Sequence, residues 1–290
     1  MKHADVALAI ASCVYPAGLK RLLNSIQASE DLPGRIVVCL DGNEGWSRLD
    51  QMDRYRERFS SADQARLQAA NAGAEDYAYL ENPQLPVEIL RNSENLGPVA
   101  AFNRLYETAY LAGYVALVND DVRVQPGWLA CLVTIMERYP SCVLTGYSNL
   151  SVEKVKGFPA LDRFCHVGAA NMLRGVYARE LINTRGYVED PGFKVLKSDI
   201  QRMTEPAGRG HDVVTIAEPN LIIRDDHQSL GNWVATACAM DNRRLIEYTV
   251  NNGARGLHHR VGRYGHVRMT IDGQIIEDTF AVPHYQRTEA

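Results

Sequence analysis

Residues 114–128 read YVALVNDDVRVQPGW, and this stretch decides the fold. Its first five residues, Tyr114–Val118, are an apolar run, which predicts a β-strand buried on both faces. Asn119, Asp120 and Asp121 follow at once, so polar side chains stand where the strand ends. In open α/β sheets, ligands bind outside the carboxyl ends of the strands. The stretch therefore predicts a binding site at one edge of a largely parallel sheet.

Strand and helix patterns alternate along the chain on both sides of this stretch. Further strands are predicted where short apolar runs occur: Val6–Ala11, Arg35–Leu40, Val87–Leu90, Cys142–Gly146, Val167–Leu173, Val213–Ala217 and Leu221–Ile223. Helices are predicted where apolar residues recur at helical spacing: Ala17–Gln27, Val99–Ala112, Trp128–Tyr139 and Trp233–Asn251. The alternation indicates an α/β fold with a mixed, mostly parallel central sheet flanked by helices.

Two segments depart from this pattern. Residues 46–86 are mostly rich in charged residues, glutamine and alanine, with two helical-looking pieces, and are predicted to be a helical insertion between strands. Residues 231–290 are predicted to form a C-terminal extension, in which MTIDGQII carries the hairpin turn signal Asp272-Gly273. The remaining chain, residues 1–230, is expected to be one domain.

The composition is that of a globular protein, with 46% hydrophobic and 23% charged residues. It excludes a disordered chain, a collagen-like chain and a coiled coil. The net charge of −4 argues against a generally basic nucleic-acid binder. No apolar run approaches the roughly 18 residues that a membrane span needs. The first residues show no signal peptide, so a cytoplasmic location is expected.

The six cysteines are predicted to be reduced thiols, because none forms a Cys-x-x-Cys pair and most stand in apolar surroundings. They are Cys13, Cys39, Cys131, Cys142, Cys165 and Cys238. A zinc site or a disulfide framework has no support in their spacing.

The adjacent acids Asp120 and Asp121 indicate cation chemistry. Two neighbouring carboxylates repel each other unless a cation lies near them. A hard divalent ion such as Mg²⁺ or Mn²⁺ suits carboxylate oxygens and can bridge a carboxylate and a diphosphate. The alternative is a loop turn whose acids point into solvent.

Four segments, in this order and spacing, resemble the family 2 glycosyltransferases, which have the nucleotide-diphospho-sugar transferase fold called GT-A. The segments are AIASCVYPAGLKRLLNSI (9–26), VVCLDGN (37–43), RNSENLGPVAAFNRLYETA (91–109) and VALVNDDVRVQPGWL (115–129). The resemblance spans roughly residues 5–230. It implies a mixed sheet of the GT-A type and transfer of a sugar from a nucleotide-diphospho-sugar.

The resemblance also implies residues that bind the donor and its metal. Ala11 and Ser12 would lie against the nucleotide, and Asp41 would accept hydrogen bonds from the base. The implied nucleotide pocket is lined by Arg91, Asn95 and Gly97. In the family's DxD-type motif, Asn119 takes the place of the first acid, Asp120 the middle position and Asp121 that of the metal-ligating acid.

On the acceptor side, the resemblance implies a catalytic base and a further metal ligand. Asp199, in Lys197-Ser198-Asp199, is predicted to be the base, with Glu189 and Asp190 as alternatives. His227 resembles the late histidine that completes the metal shell in many family members, and Asp225 and Asp226 are weaker alternatives. An inverting transferase needs such a base, because one carboxylate must take the proton of the attacking hydroxyl.

The predicted activity is therefore a metal-dependent glycosyltransferase that uses Mn²⁺ or Mg²⁺ and inverts the anomeric carbon. A nucleotidyltransferase on a related sheet is an alternative, although the first strand lacks the Gly-rich basic loop that it would need. A non-catalytic nucleotide- or sugar-binding protein is another. The acceptor stays open among saccharide, protein, lipid-linked and modified nucleic-acid acceptors. The basic stretch 243–268 could bind a diphosphate, an anionic acceptor or another subunit, and homo-oligomers are possible.

Overall fold

A computed structural model of the 290-residue chain describes the residues in which the sheet and its flanking helices lie. They are residues 2–13, 15–42, 65, 69, 71–72, 76–81, 85–147, 169–192, 202, 205–206, 209, 211–216, 221–224, 260–262, 266–271 and 274–279. The predicted helix Trp233–Asn251 and the two helical pieces of residues 46–71 lie almost wholly outside these ranges.

The described part contains twelve strands and four α-helices. The strands are β1 (Lys2–Ser12), β2 (Leu32–Leu40), β3 (Val87–Arg91), β4 (Tyr114–Val118), β5 (Val122–Val124), β6 (Cys142–Tyr147), β7 (Ala170–Arg174), β8 (Asp212–Ile216), β9 (Ile222–Arg224), β10 (Arg260–Gly262), β11 (His266–Ile271) and β12 (Gln274–Thr279). The helices are α1 (Pro16–Ala28), α2 (Pro98–Ala109), α3 (Trp128–Arg138) and α4 (Gly175–Arg185). A 3₁₀ turn spans Ala78–Glu81.

Ten of the strands form one mixed sheet in the order β12-β11-β10-β8-β6-β7-β4-β1-β2-β3. Strands β4, β1, β2 and β3 run parallel to one another. Strand β7 lies antiparallel between β4 and β6, and β8 and β10 then continue parallel to β6. Because parallel neighbours end at the same edge, β1, β2 and β4 bring three chain segments together at their carboxyl ends.

Alternating residues of the parallel strands pack against helices on both faces of the sheet. On one face, Leu8 and Ile10 of β1 share a buried cluster with residues of α1 and α3. On the other, Ala7 and Ala9 pack in a second cluster with residues of α2 and α4. The strand is apolar throughout because both of its faces are covered, as the runs in the sequence predicted.

The α/β fold and the alternation of its first half are confirmed. The strand predicted at Tyr114–Val118 has the same bounds in the structure, and α1, α2 and α3 each lie within three residues of their predicted bounds. The hairpin predicted around Asp272-Gly273 is present as β11 and β12, which pair antiparallel with Ile271 opposite Gln274. Through β10, this hairpin continues the central sheet.

Helix α4 has no counterpart among the sequence predictions. Its buried side chains include Tyr177, Ala178 and Leu181, but Arg179 and Glu180 stand between them and Val176 is 61% exposed. An apolar stripe this narrow gives a weak helical period in the sequence. Strand β5 was also not predicted, because it is only three residues long and begins directly after the acids of the preceding turn.

At the amino end of the sheet, two strands and a helix are joined by one carboxylate. His3 of β1 contacts Asp31 Oδ1 through Nε2 at 2.6 Å. The backbone N–H groups of Leu129 and Ala130, in the first turn of α3, donate to Asp31 Oδ2 at 3.0 and 2.9 Å. A carboxylate at a helix N-terminus satisfies amides that have no partner inside the helix and favours the helix dipole.

Candidate functional site

The candidate site lies at the carboxyl ends of β1, β2 and β4, which are neighbours in the sheet. Strand β1 ends at Ser12, directly beside Leu40 in the parallel register. Asp41 follows Leu40, and its backbone N–H donates to the Ser12 carbonyl at 2.9 Å. Asn119, Asp120 and Asp121 follow β4. The three strand ends place these polar residues at one edge of the sheet, as predicted.

Asp120 is joined to the end of β1 by a short hydrogen bond. The Ser12 hydroxyl donates to Asp120 Oδ2 at 2.6 Å. Ser12 itself is 2% exposed, so the bond lies at the inner wall of the site. A hydrogen bond of this length to a carboxylate is stronger than one between neutral groups. The Ser12 hydroxyl therefore anchors one oxygen of the Asp120 carboxylate.

Helix α1 approaches the backbone of Asp120 closely. A Cβ placed on Gly18 would lie 2.6 Å from the Asp120 carbonyl oxygen and would also overlap the Tyr15 ring. Because this is well inside van der Waals contact, only glycine lets the first turn of α1 pack here. The first turn of α1 therefore packs directly against the backbone of the acidic turn.

Asp41 fixes the loop that precedes α2. Its Oδ1 accepts hydrogen bonds from Asn92 Nδ2 at 2.8 Å and from the Leu96 N–H at 3.0 Å, while its Oδ2 accepts one from the Gly97 N–H at 2.9 Å. Burial raises the pKa of Asp41, and these three hydrogen bonds oppose the rise. The carboxylate offers about four acceptor positions in all. Three are used within the protein.

The loop itself needs the conformation that Gly97 adopts. The φ angle of Gly97 is +89°, a value that favours glycine, and Pro98 then begins α2. Asn95 contacts both sides of the loop, because its Oδ1 accepts from the Gly97 N–H at 2.9 Å and its Nδ2 donates to Cys13 Sγ at 3.2 Å. Arg91 ends β3, and its carbonyl oxygen accepts from Arg104 Nη1 at 2.7 Å.

Two acidic groups act on Cys13 at this edge. Burial raises the pKa of the Cys13 thiol, and the nearby charges of Asp41 and Asp120 raise it further. Cys13 is therefore a neutral thiol between two acids. Like charges held together in a partly buried place are the arrangement that a bound cation would relieve.

The two other residues of the acidic turn are held by the strands beside them. The Asn119 N–H donates to the Ala169 carbonyl at 3.0 Å. Asp121 is 7% exposed, and the next residue, Val122, pairs with Arg224 of β9. The antiparallel pairing of β5 and β9 therefore ends β9 beside the acidic turn. His227 is three residues further along the chain and, like Asp199, lies outside the described residues.

The alternative acids of the acceptor side are engaged within the protein. Glu189 is completely buried and forms an ion pair with Arg202 at 2.7 Å, where the Arg202 side chain is 5% exposed. Asn103 of α2 accepts hydrogen bonds from the Val188 and Glu189 N–H groups at 2.9 and 2.8 Å. Asp190 Oδ1 accepts from the Gly192 N–H at 2.8 Å. Glu189 thus holds the loop after α4 in place.

Sequence reasoning missed two residues of this site. Tyr77 is fully buried, and its hydroxyl contacts the Ser12 hydroxyl at 2.9 Å; nothing in the surrounding sequence marks it. Asn92 follows β3 and binds Asp41, and its position as a polar residue at a strand end was a usable signal. Within the described residues, no cluster of three or more histidine, cysteine or acidic side chains could hold a metal.

Comparison with known protein families finds a match to part of the chain. The family model described as "Glycosyl transferase family 2" matches residues 71–161, which include the loop before α2 and the acidic turn. No curated protein matches the sequence significantly. The match covers about a third of the chain, and over these residues the chain is similar to family 2 glycosyltransferases.

The solved structures show the GT-A fold. Glucosyl-3-phosphoglycerate synthase from Mycobacterium tuberculosis, in complex with Mn²⁺, UDP and glucosyl-3-phosphoglycerate, is 12% identical with a TM-score of 0.53; the match covers 95% of this chain and 87% of that one. GalNAc-T7 with UDP, GalNAc and Mn²⁺ is 12% identical with a TM-score of 0.52, over 84% of this chain and 48% of that one. S. aureus TarS is 12% identical with a TM-score of 0.47, over 76% of this chain and 36% of TarS.

This chain therefore spans about half of GalNAc-T7 and about a third of TarS. At 12% identity, the likeness to these structures shows the fold that this chain shares with them. Within the described residues, no helix is both long enough and apolar enough to cross a membrane.

Proposed function

We propose that this protein transfers a sugar from a nucleotide-diphospho-sugar to an acceptor hydroxyl, with a divalent metal ion and with inversion at the anomeric carbon. The observation that carries the proposal is the meeting of Ser12, Asp41 and Asp120 at one sheet edge, where Ser12 binds Asp120 at 2.6 Å. The bound UDP and Mn²⁺ of the M. tuberculosis synthase and of GalNAc-T7 support the choice of donor and metal.

The residues of the acidic turn fit a hard divalent ion. Asp120 and Asp121 supply adjacent carboxylates, and oxygen ligands suit Mn²⁺ and Mg²⁺. We assign Asp121 as a metal ligand and His227 as a further one, with Asp120 beside them. When bound, the ion would neutralise negative charge on the diphosphate. Ser12 and Gly18 hold the turn that presents these carboxylates.

The nucleotide would lie over the ends of β1 and β2. Ala11 and Ser12 form its floor, and Asn95 and Gly97 its wall, with Arg91 at the end of β3. Asp41 fixes that wall through the Leu96 and Gly97 amides. In this arrangement, Asp41 has two effects on the nucleotide. It holds the loop that forms the wall, and the hydrogen-bond acceptor position that the protein leaves unused can accept from the base.

Asp199 is our candidate for the catalytic base. It would remove the proton of the acceptor hydroxyl as that oxygen attacks the anomeric carbon, opposite the leaving nucleoside diphosphate. A positioned base contributes about 10²–10⁴-fold to the rate. The alternatives are less suitable, since Glu189 is buried in its ion pair with Arg202 and Asp190 is 6% exposed.

The test is hydrolysis and binding of a panel of nucleotide sugars, each with and without Mn²⁺. We expect one donor to be hydrolysed only with Mn²⁺. Asp121→Ala should abolish the Mn²⁺-dependent part of donor binding, because a ligand carboxylate is lost. Asp199→Asn should bind donor normally but lose at least about 10²-fold in transfer.

The matched control is Glu88→Gln, which removes a carboxylate from an exposed ion pair with Arg35 at the edge of the sheet. It should behave as the wild type. Absence of both binding and hydrolysis over the whole panel would contradict the proposal.

A non-catalytic donor-binding protein is the second candidate. The engagement of both Glu189 and Asp190 in loop structure favours it, because it leaves fewer acids for catalysis. Mn²⁺-dependent binding of a donor without hydrolysis or transfer, unchanged by Asp199→Asn, would establish this candidate instead.

A further inference from the structure

The buried hydroxyl of Tyr77 connects residues that belong to three parts of the site. Tyr77 lies just before the 3₁₀ turn Ala78–Glu81, far in sequence from β1 and β4, and is fully buried. Its hydroxyl contacts the Ser12 hydroxyl at 2.9 Å and donates to the Cys13 carbonyl at 2.8 Å. The Tyr15 N–H donates to the same hydroxyl at 3.2 Å.

The number of hydroxyl protons determines which group is the donor in each contact. The Ser12 hydroxyl has one proton, and it donates that proton to Asp120 Oδ2 at 2.6 Å. In the contact with Tyr77, Ser12 must then be the acceptor. The single phenol proton of Tyr77 therefore has two acceptors, the Ser12 hydroxyl and the Cys13 carbonyl. The phenol proton is shared between these two acceptors, and its bond to Ser12 completes a path of hydrogen bonds from Tyr77 through Ser12 to Asp120.

The surroundings keep Tyr77 in the role of donor. Burial raises the pKa of the Tyr77 hydroxyl well above its ordinary value, and the charges of Asp120 and Cys13 raise it further. The phenol is thus protonated at any physiological pH. A second, partly buried tyrosine, Tyr79, serves a different purpose, since its hydroxyl donates to the Pro16 carbonyl at 3.0 Å at the start of α1.

We infer that Tyr77 is a positioning residue of the donor site, which fixes the Asp120 carboxylate through Ser12 in the orientation needed for a metal-bound nucleoside diphosphate. The inference rests on the proposed function, and it adds a residue that touches neither nucleotide nor metal. It also links the segment before β3 to the acidic turn after β4. Ser12 alone can rotate about its side-chain torsion, whereas Tyr77 restricts it to one direction.

The test compares Tyr77→Phe, Ser12→Ala and the double variant with Tyr79→Phe as the matched control. Each variant is titrated calorimetrically with UDP, once with Mn²⁺ and once without. The measured quantity is the ratio of the two affinities, which a change in overall packing would not move selectively. Thermal unfolding of each variant is recorded beside it.

We expect Tyr77→Phe to lower the ratio about fivefold, the usual worth of one hydrogen bond. Ser12→Ala should lower it by at least as much, and the double variant no further than Ser12→Ala, because both residues act through one chain of bonds. Tyr79→Phe should leave the ratio unchanged. If Tyr77→Phe does not fold, Ser12→Ala carries the test, and an unchanged ratio there overturns the inference.

Failure of this inference can be told apart from failure of the proposed function. A wild-type protein that binds UDP no better with Mn²⁺ than without overturns the proposed function, and the inference with it. A wild-type protein with a clear Mn²⁺ dependence, matched by an equal ratio in Tyr77→Phe, overturns the inference alone. Additive losses in the double variant would also overturn it, since they would show two independent contributions.

Discussion

The two ends of strand β2 each carry a buried aspartate that binds backbone amides, yet their surroundings differ. At the amino end, Asp31 contacts His3 and accepts from two amides of α3. Burial alone would raise the pKa of Asp31, but the hydrogen bonds from His3 and Ala130 outweigh it, and the pKa is lowered. At the carboxyl end, burial prevails, and the pKa of Asp41 is raised.

The difference separates a structural carboxylate from one that we assign to the donor site. Asp31 has a histidine and a helix N-terminus beside it, which favour its charged form. Asp41 instead accepts from Asn92 and two loop amides, with Arg104 also favouring its charged form, and both Asp41 and Asp120 act on Cys13. A protein that gathers acids at one strand end loses stability there, which is typical of functional sites. Changes at the amino end should therefore alter stability, and changes at the carboxyl end should alter ligand binding.

The largest effect on stability is expected neither at the amino end nor at the carboxyl end of β2, but in the loop after α4. Arg202→Met leaves the completely buried Glu189 without its cation. We expect the free energy of unfolding to fall by about 3–5 kcal/mol, because an unpaired buried charge is costly. Denaturant unfolding measures the loss.

The double variant with Glu189→Gln serves as its control and should recover much of that loss. An Arg202→Met protein as stable as the wild type would show that the pair contributes nothing. The folded fraction of the single variant should still bind UDP, because neither residue lies among those we assign to the donor.

The second-largest effect is expected on UDP affinity, at the carboxyl end of β2. Asp41→Asn puts an amide donor where the carboxylate accepts from Leu96 and Gly97, so the loop before α2 loses at least one hydrogen bond. We expect UDP affinity to fall about tenfold, the equivalent of one hydrogen bond to a charged group. Calorimetric titration with UDP and Mn²⁺ measures it. An affinity equal to that of the wild type would mean that the loop is not part of the donor site.

The smallest effect belongs to the amino end. Asp31→Asn should cost about 1 kcal/mol of stability, the usual worth of a helix-capping side chain, and should leave UDP affinity unchanged. Denaturant unfolding at several pH values measures the first quantity. A loss of UDP affinity in this variant equal to that in Asp41→Asn would break the distinction between the two ends.

The pH dependence gives the Asp31 prediction its sign. The pKa of Asp31 is lower in the folded protein than in the unfolded chain. Its contribution is therefore complete above the unfolded pKa, about 3.9, and is lost as the pH falls through the folded-state pKa. The stability difference between wild type and Asp31→Asn should be constant near neutral pH and should shrink below about pH 4. A difference that grew on acidification would contradict this assignment.

The parallel half of the fold could be predicted from the sequence because its strands are buried on both faces. Tyr114–Val118 is apolar without interruption, and its bounds were found as predicted. Helix α4 could not be predicted, since Arg179 and Glu180 interrupt its apolar stripe. Its packing is decided by tertiary contact with α2 and β7, and short windows of sequence do not report such contact.

The site was predictable where it consists of polar residues at strand ends. Asp120 was found this way, whereas Ser12 and Asp41 were implied by the resemblance to family 2 glycosyltransferases, and the structure brings all three together. Tyr77 was not found, because it acts over a separation of 65 residues from Ser12 and a buried tyrosine is indistinguishable in sequence from an ordinary core residue. The functional roles of these residues, like those of Asp121, Asp199 and His227, remain predictions.

The most direct test is a crystal structure of the protein with UDP and Mn²⁺. We expect one Mn²⁺ ion within coordination distance of an Asp121 oxygen and of both phosphates, with the Ser12–Asp120 hydrogen bond retained and the nucleotide beside Gly97. Well-ordered UDP bound elsewhere on the protein, or in this place with the ion distant from Asp120 and Asp121, would contradict the account.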